Sequence, residues 1–286
     1  MTRRSLVAAA FAVNATMASA LAFQVYRVRA DVVVIDVAVA DGRKPITNLT
    51  KDDFELRDNG VVQKILDFDH GALPIDVTLT IDISGSMTRQ KRMAVERAVA
   101  QVSSLLREVD RGAVWTFGRT VVESTPLRHP PIAVDLSATG TGTSVFDALL
   151  LSIVMPPIPD RRQLNVFMTD GDDTTSAFDE DTVLETAKHT HGQLSFVIVK
   201  GGGTDADGNV MRAFRSIAKT TGGEILQIDQ DEQLTQAFIT AIQNFRTAYV
   251  LRYTPTGVPG PGWHEVTVKV KSKNYSIRAR RGYQGS

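Results

Sequence analysis

Three stretches of the chain carry oxygen-bearing side chains at spacings that could gather on one metal ion. In Asp82-Ile83-Ser84-Gly85-Ser86-Met87, oxygen side chains stand at three alternate positions, and Gly85 allows a tight bend around whatever they hold. Such a set suits a small hard cation such as Mg²⁺, which takes oxygen ligands. Thr169-Asp170-Gly171 supplies another carboxylate, and Thr139-Gly140-Thr141-Gly142-Thr143 supplies further hydroxyls. The chain has no cysteine, which excludes thiolate zinc sites, iron–sulfur clusters, disulfides and a cysteine nucleophile. Any metal must be held by oxygen or imidazole.

Rigid elements must bring these stretches together. Asp82 follows an apolar strand, residues 75–81, and Asp170 follows another, residues 164–169. Across residues 75–247 such runs alternate with helical segments, further strands falling at 113–117 and 194–199. One helix places Val95, Ala98, Val99, Val102, Leu105, Leu106 and Val109 on one face. A second starts near Val145 and ends at Pro156-Pro157, where proline cannot continue it. A third carries Met211, Phe214, Ile217 and Ala218, stops at Gly222-Gly223, and leads into a strand at 225–228. The last buries Leu234, Ala237, Phe238, Ala241, Ile242 and Phe245, with Asp229 and Glu232 read as its capping box. Nearly unbroken apolar strands suit the middle of a parallel sheet covered on both faces. The predicted fold class is α/β, an open, mostly parallel, doubly wound sheet whose binding site lies at the carboxyl ends of its strands.

Both flanks read as β. The valine-rich stretch 25–39 and the hairpin around Asp58-Asn59-Gly60 precede the alternating region, and strands at 249–253, 266–270 and 275–279 follow it. Each flank alone is too small for a good core, so the two are expected to pair in a small β-sandwich. Expected boundaries are a signal peptide at 1–22, β segments at 23–73 and 248–286, and the α/β domain at 74–247. The signal rests on Arg3-Arg4, the apolar run 6–13 and the small residues Ala18, Ala20 and Ala22. That run is too short to cross a bilayer unaided, so the mature chain is expected to be exported without a membrane span. Lys and Arg number 32 against 32 Asp and Glu, which leaves no basic excess for phosphates and argues against nucleic acid as a partner.

With these three segments in order, the chain resembles the von Willebrand factor type A family. Asp82, Ser84 and Ser86 match its D-x-S-x-S motif, Thr143 its loop threonine and Asp170 its final aspartate, so all five positions of the family's metal-ion-dependent adhesion site are present. The resemblance covers roughly residues 74–247. The family's loop usually reads Gly-Gly-Thr, whereas Thr141 here separates the glycines; Asp147-Ala148-Leu149 favours Thr143, and Thr141 stays open. The flanks are similar to those of bacterial secreted proteins called VWFA-related.

The resemblance implies a Rossmann-like type A domain that binds Mg²⁺ or Mn²⁺, with Ca²⁺ as the alternative ion. It further implies a protein partner whose Asp or Glu carboxylate completes the metal's coordination, met on a surface around Met87, Gly142 and Gly171. Neutral direct ligands leave the ion much of its charge, so it seeks an external oxygen anion.

Other readings of the chain stand beside this one. A scaffold of the cell envelope would use the metal only to hold loops. A metal-dependent hydrolase would need a general base, yet none stands at a recognisable spacing, and neither a G-x-S-x-G elbow nor a phosphate-binding loop occurs. Asp172 and Asp173 read as solvated loop residues, and Met87 as either a partner contact or a gap filler. Thr204-Asp205-Ala206-Asp207-Gly208-Asn209 lacks the glycine and glutamate positions of a calcium loop. His189 and His191 lack a third zinc ligand.

Overall fold

The computed structural model describes residues 32–42, 44–85, 88–137, 141–200 and 208–285. The expected signal peptide lies outside the described residues. The first elements are β1 (Val33–Asp41), β2 (Lys44–Pro45), β3 (Phe54–Asp58), β4 (Val61–Gln63) and β5 (Asp67–His70). The alternating part runs β6 (Ile75–Asp82), α1 (Arg89–Leu105), β7 (Arg111–Phe117), β8 (Val121–Arg128), α2 (Val145–Ile153), β9 (Arg162–Thr169) and α3 (Glu180–Ala187), then β10 (Gln193–Val199), α4 (Asn209–Thr221), β11 (Ile225–Ile228) and α5 (Leu234–Arg246). Last come β12 (Tyr249–Tyr253), β13 (Gly262–Val270), β14 (Ser276–Ala279) and β15 (Gly282–Gly285).

The central sheet has the order β11-β10-β9-β6-β7-β8. Its pairs are parallel except β7 with β8, an antiparallel edge. Side chains alternate across the sheet. Leu164, Val166 and Met168 of β9 join the core shared with α1 and α5, while Phe167 points the other way into the core beneath α2, α3 and α4. That two-sided burial is the reason β6 and β10 are buried along their whole length.

The flanking strands build two further sheets, β14-β1-β12-β5 with β2, and β15-β13-β3-β4. β1 pairs antiparallel with both β12 and β14, so the beginning and end of the chain share one sheet. A core of Ile35, Val37, Leu56, Tyr249, Leu251 and Tyr253 lies between these layers. The β3–β4 turn places Asn59 and Gly60 at positive φ, as its Asn-Gly pair predicts.

Two expectations are corrected. α1 ends at Leu105, and Val109 beyond it is 52% exposed. The turn before α5 is capped by Gln233, whose Oε1 accepts from the backbone N–H groups of Asp229 and Gln230 at 2.8 and 3.1 Å. Glu232 instead accepts from Gln90 Nε2 at 2.7 Å.

Candidate metal centre

β6 and β9 are neighbours in the sheet, yet the chain proceeds from β6 toward β7 and from β9 toward β10. Connections that diverge in this way leave a crevice at the carboxyl ends of the two strands. Asp82 is the last residue of β6 and Asp170 directly follows β9. Each is 2% exposed.

Asp82 Oδ1 accepts from the backbone N–H of Ser84 at 2.9 Å, which turns the chain back over the strand end. Asp82 Oδ2 accepts from the hydroxyl of Thr169 at 2.6 Å, and that hydroxyl oxygen accepts from the N–H of Gly171 at 3.1 Å. One threonine thus ties the first motif to the third. Burial pushes the Asp82 carboxyl above its ordinary range, the bonds from Thr169 and Ser84 oppose this, and the neighbouring Asp170 carboxylate adds to the rise.

The threonine loop arrives against the same strand ends. Ser144 N–H donates to Gly118 O at 2.8 Å and Ile83 N–H donates to Phe117 O at 2.7 Å, so both loops hang on the turn between β7 and β8. A methyl group placed on Gly118 would lie 3.6 Å from Ser84 Cα and equally far from Gly142 O. Gly142 has a φ of 104°, and a Cβ there would stand 2.7 Å from Thr175 Cγ2, so any larger residue is strained at this position and must push Thr175 aside. Thr143 is buried and Thr141 is exposed.

A third loop, 171–178, clamps this arrangement. Thr143 N–H donates to Thr174 Oγ1 at 2.8 Å, and Thr143 O accepts from the N–H groups of Thr174 and Thr175 at 2.9 and 3.2 Å. Asp173 Oδ1 accepts from the N–H groups of Val145 and Phe146, at 2.8 and 3.4 Å, capping α2 from a distant part of the sequence. Asp147 Oδ1 returns the favour, accepting from the N–H groups of Ala177 and Phe178 at 2.9 and 3.0 Å. The reading of Asp172 and Asp173 as solvated loop residues is therefore corrected. Asp173 is a cap, and Asp172 Oδ1 is buried with no hydrogen-bond partner among the described residues. The physical reason is that orphan N–H groups at a helix start must find acceptors, and this loop lies across them.

Lys91, in the first turn of α1, extends its ammonium to Asp170 Oδ2. Sequence reasoning missed Lys91, Thr169 and Asp173. Thr169 left a faint signal, a hydroxyl ending an otherwise apolar strand; Lys91 left none, since a lysine in the first turn of a helix looks like part of its solvated face.

The structure thus brings Asp82, Ser84, Thr143 and Asp170 to one strand edge, with Gly142 and Gly171 beside them. Ser86 and Met87 lie outside the described residues, as do Thr139, Gly140 and most of the 204–209 segment. Among the described residues no three His, Asp or Glu side chains form a metal cage, so hydroxyls must complete any coordination. The donors present fit a hard divalent cation: they are all oxygen, two of them buried carboxylates, Asp82 and Asp170, with the orphaned Asp172 oxygen in the adjoining loop.

Comparison with solved structures places this architecture. The von Willebrand factor type A structure from Catenulispora acidiphila matches with a TM-score of 0.50 at 14% identity, over 80% of this chain and 73% of that one. The chain has the von Willebrand factor type A fold. Proximal thread matrix protein 1 from the mussel byssus, in a structure with a zinc-occupied MIDAS motif, shares this type A fold at a TM-score of 0.51 and 10% identity, over 66% of this chain and 49% of that one. The chain spans about half the length of the byssus protein it matches. No protein-family model and no curated protein matches the chain. No helix among the described residues is long and apolar enough to cross a membrane.

Proposed function

We propose that this type A fold is an exported, metal-dependent protein-binding module, with residues 74–247 as the type A domain and the flanking sheets of 23–73 and 248–286 as its accessory module. Asp82, Ser84, Ser86, Thr143 and Asp170 hold one divalent cation, Mg²⁺ or Mn²⁺. The ion supplies a positive centre at the strand edge that an Asp or Glu carboxylate of the partner completes. Ca²⁺ fits this set less well, because it takes six to eight oxygens and favours several carboxylates, whereas hydroxyls dominate here. The chain's own part is to pre-set the donors: Thr169 orients Asp82, the 171–178 loop fixes Thr143, and burial keeps bulk water from screening the charge.

The observation that carries this reading is the meeting of Asp82, Ser84, Thr143 and Asp170, drawn from three distant segments, at the crevice between β6 and β9. A second observation favours binding over an envelope scaffold in which metal merely holds loops. The 141–147 and 171–178 loops are already held to one another by protein hydrogen bonds, so an ion is free to serve a ligand.

Calorimetric titration of Mn²⁺ into the metal-stripped chain tests the proposal, alongside a Ser84→Ala, Asp82→Ala variant checked for folding by circular dichroism. Binding of one ion by the wild type that is lost in the folded variant is the expected result. Equal binding by both would overturn it.

A further inference from the structure

The ion pair between Lys91 and Asp170 has no counterpart in the five-residue motif, and it stands where the metal would have to act. The two side chains are 10% and 3% exposed respectively, so the pair is largely buried. We propose that Lys91 is a tethered counter-ion that competes with the divalent cation for Asp170, so that metal entry requires the lysine to leave. The inference rests on the metal reading above and adds to it a built-in competitor.

Two cations cannot share one buried carboxylate without strong mutual repulsion, because little water lies between them to screen it. The ammonium is a compact point charge on a flexible four-carbon stem. Its backbone is fixed, the Lys91 N–H donating to the capping hydroxyl of Thr88 at 3.1 Å, but the stem above can swing. A groove of about 750 Å³ opens beside the pair, and Lys91 and Asp170 form part of its wall. Asp229, Asp231 and Glu232 line the same groove. Asp229 already holds one lysine at this groove, pairing with Lys200 at 3.0 Å in an exposed salt bridge. A displaced Lys91 ammonium therefore moves from a buried carboxylate toward solvated ones, where it recovers its hydration. Because the lysine is part of the chain, its local concentration never falls, and the metal's apparent affinity is lowered by that constant competition.

The test compares Mn²⁺ affinity of the wild type with that of Lys91→Gln, by calorimetry on the full chain. Removing the ammonium takes this competing cation from Asp170, so the variant should bind Mn²⁺ about tenfold more tightly, or more. Equal or weaker binding by Lys91→Gln would overturn the proposal. Equal binding leaves the metal site itself standing; failure of both proteins to bind overturns the metal reading and the competitor together. Should Lys91→Gln not fold, the wild type answers alone: labelling of lysine amines followed by mass spectrometry should find Lys91 protected without metal and several-fold more reactive at saturating Mg²⁺. Unchanged reactivity under conditions where calorimetry reports a bound ion would overturn the competitor while sparing the site.

Discussion

Thr169 donates its hydroxyl hydrogen to Asp82 Oδ2 at 2.6 Å, across the junction of two parallel strands that lie next to each other in space but 87 residues apart in sequence. The bond aligns the carboxylate that opens the motif with the strand that delivers its last aspartate. Thr169→Val removes the donor while keeping the shape, leaving a buried carboxylate short of a partner at a cost of about 1–3 kcal/mol. Urea denaturation should show that loss, and Mn²⁺ affinity should fall about tenfold because the ligand is no longer oriented.

Asp173 acts as the cap of a helix 28 residues before it. Asp173→Ala should destabilise the chain by about 1 kcal/mol, the usual scale for a lost cap. Hydrogen exchange should quicken at Val145, whose N–H loses its acceptor, more than at Phe146, which keeps Ser176 Oγ at 3.0 Å, and remain unchanged in α4.

Arg162, 4% exposed, links the central sheet to the flanking one. Its Nε donates to Asp36 of β1 at 2.7 Å, Nη2 donates to Phe245 O at 2.6 Å, and the guanidinium lies 4.2 Å over the Phe245 ring. Asp36→Ala strands a buried cation, so a loss of roughly 3 kcal/mol is expected in denaturant unfolding. A neutral result would show that the guanidinium's contacts at the end of α5 suffice without Asp36.

Asp110 gives the fold an acid-sensitive anchor. It accepts from Ile75 N–H at 3.0 Å, from Arg107 N–H at 2.8 Å and from Arg246 Nη2 at 2.9 Å. Burial pushes its carboxyl up, but the hydrogen bonds from Arg107, Ile75 and Arg246 outweigh this and hold it at about 2. A carboxyl whose folded pKa lies below its unfolded value stabilises the fold above the unfolded pKa of about 3.9, and that contribution drains away as pH falls through about 2. Asp110→Asn should lower stability at neutral pH and flatten its dependence on pH across that acid window, as followed by urea midpoints.

Much of this design was legible in the residues. β6, β9 and β10 announced themselves as apolar runs too continuous for one-sided burial, and the oxygen side chains after β6 and β9 fell at the strand ends the fold class predicts. β8 was hidden because its charged and polar residues and Pro126 do not look like sheet; as an antiparallel edge it can carry a proline and a solvated face. Lys91 and Asp173 were illegible for a different reason. Their partners come from other segments, and no local spacing encodes a cap or an ion pair formed only when the sheet is assembled.

The central claim is that one divalent ion sits among Asp82, Ser84, Thr143 and Asp170. Crystals of the chain soaked in Mn²⁺ and measured at an X-ray energy where manganese scatters anomalously test it directly. The account predicts a single strong anomalous peak between the ends of β6 and β9, bounded by those four side chains, with the Lys91 ammonium moved away from Asp170. Soaked crystals with no peak there, or with Mn²⁺ only at surface carboxylates, would contradict it.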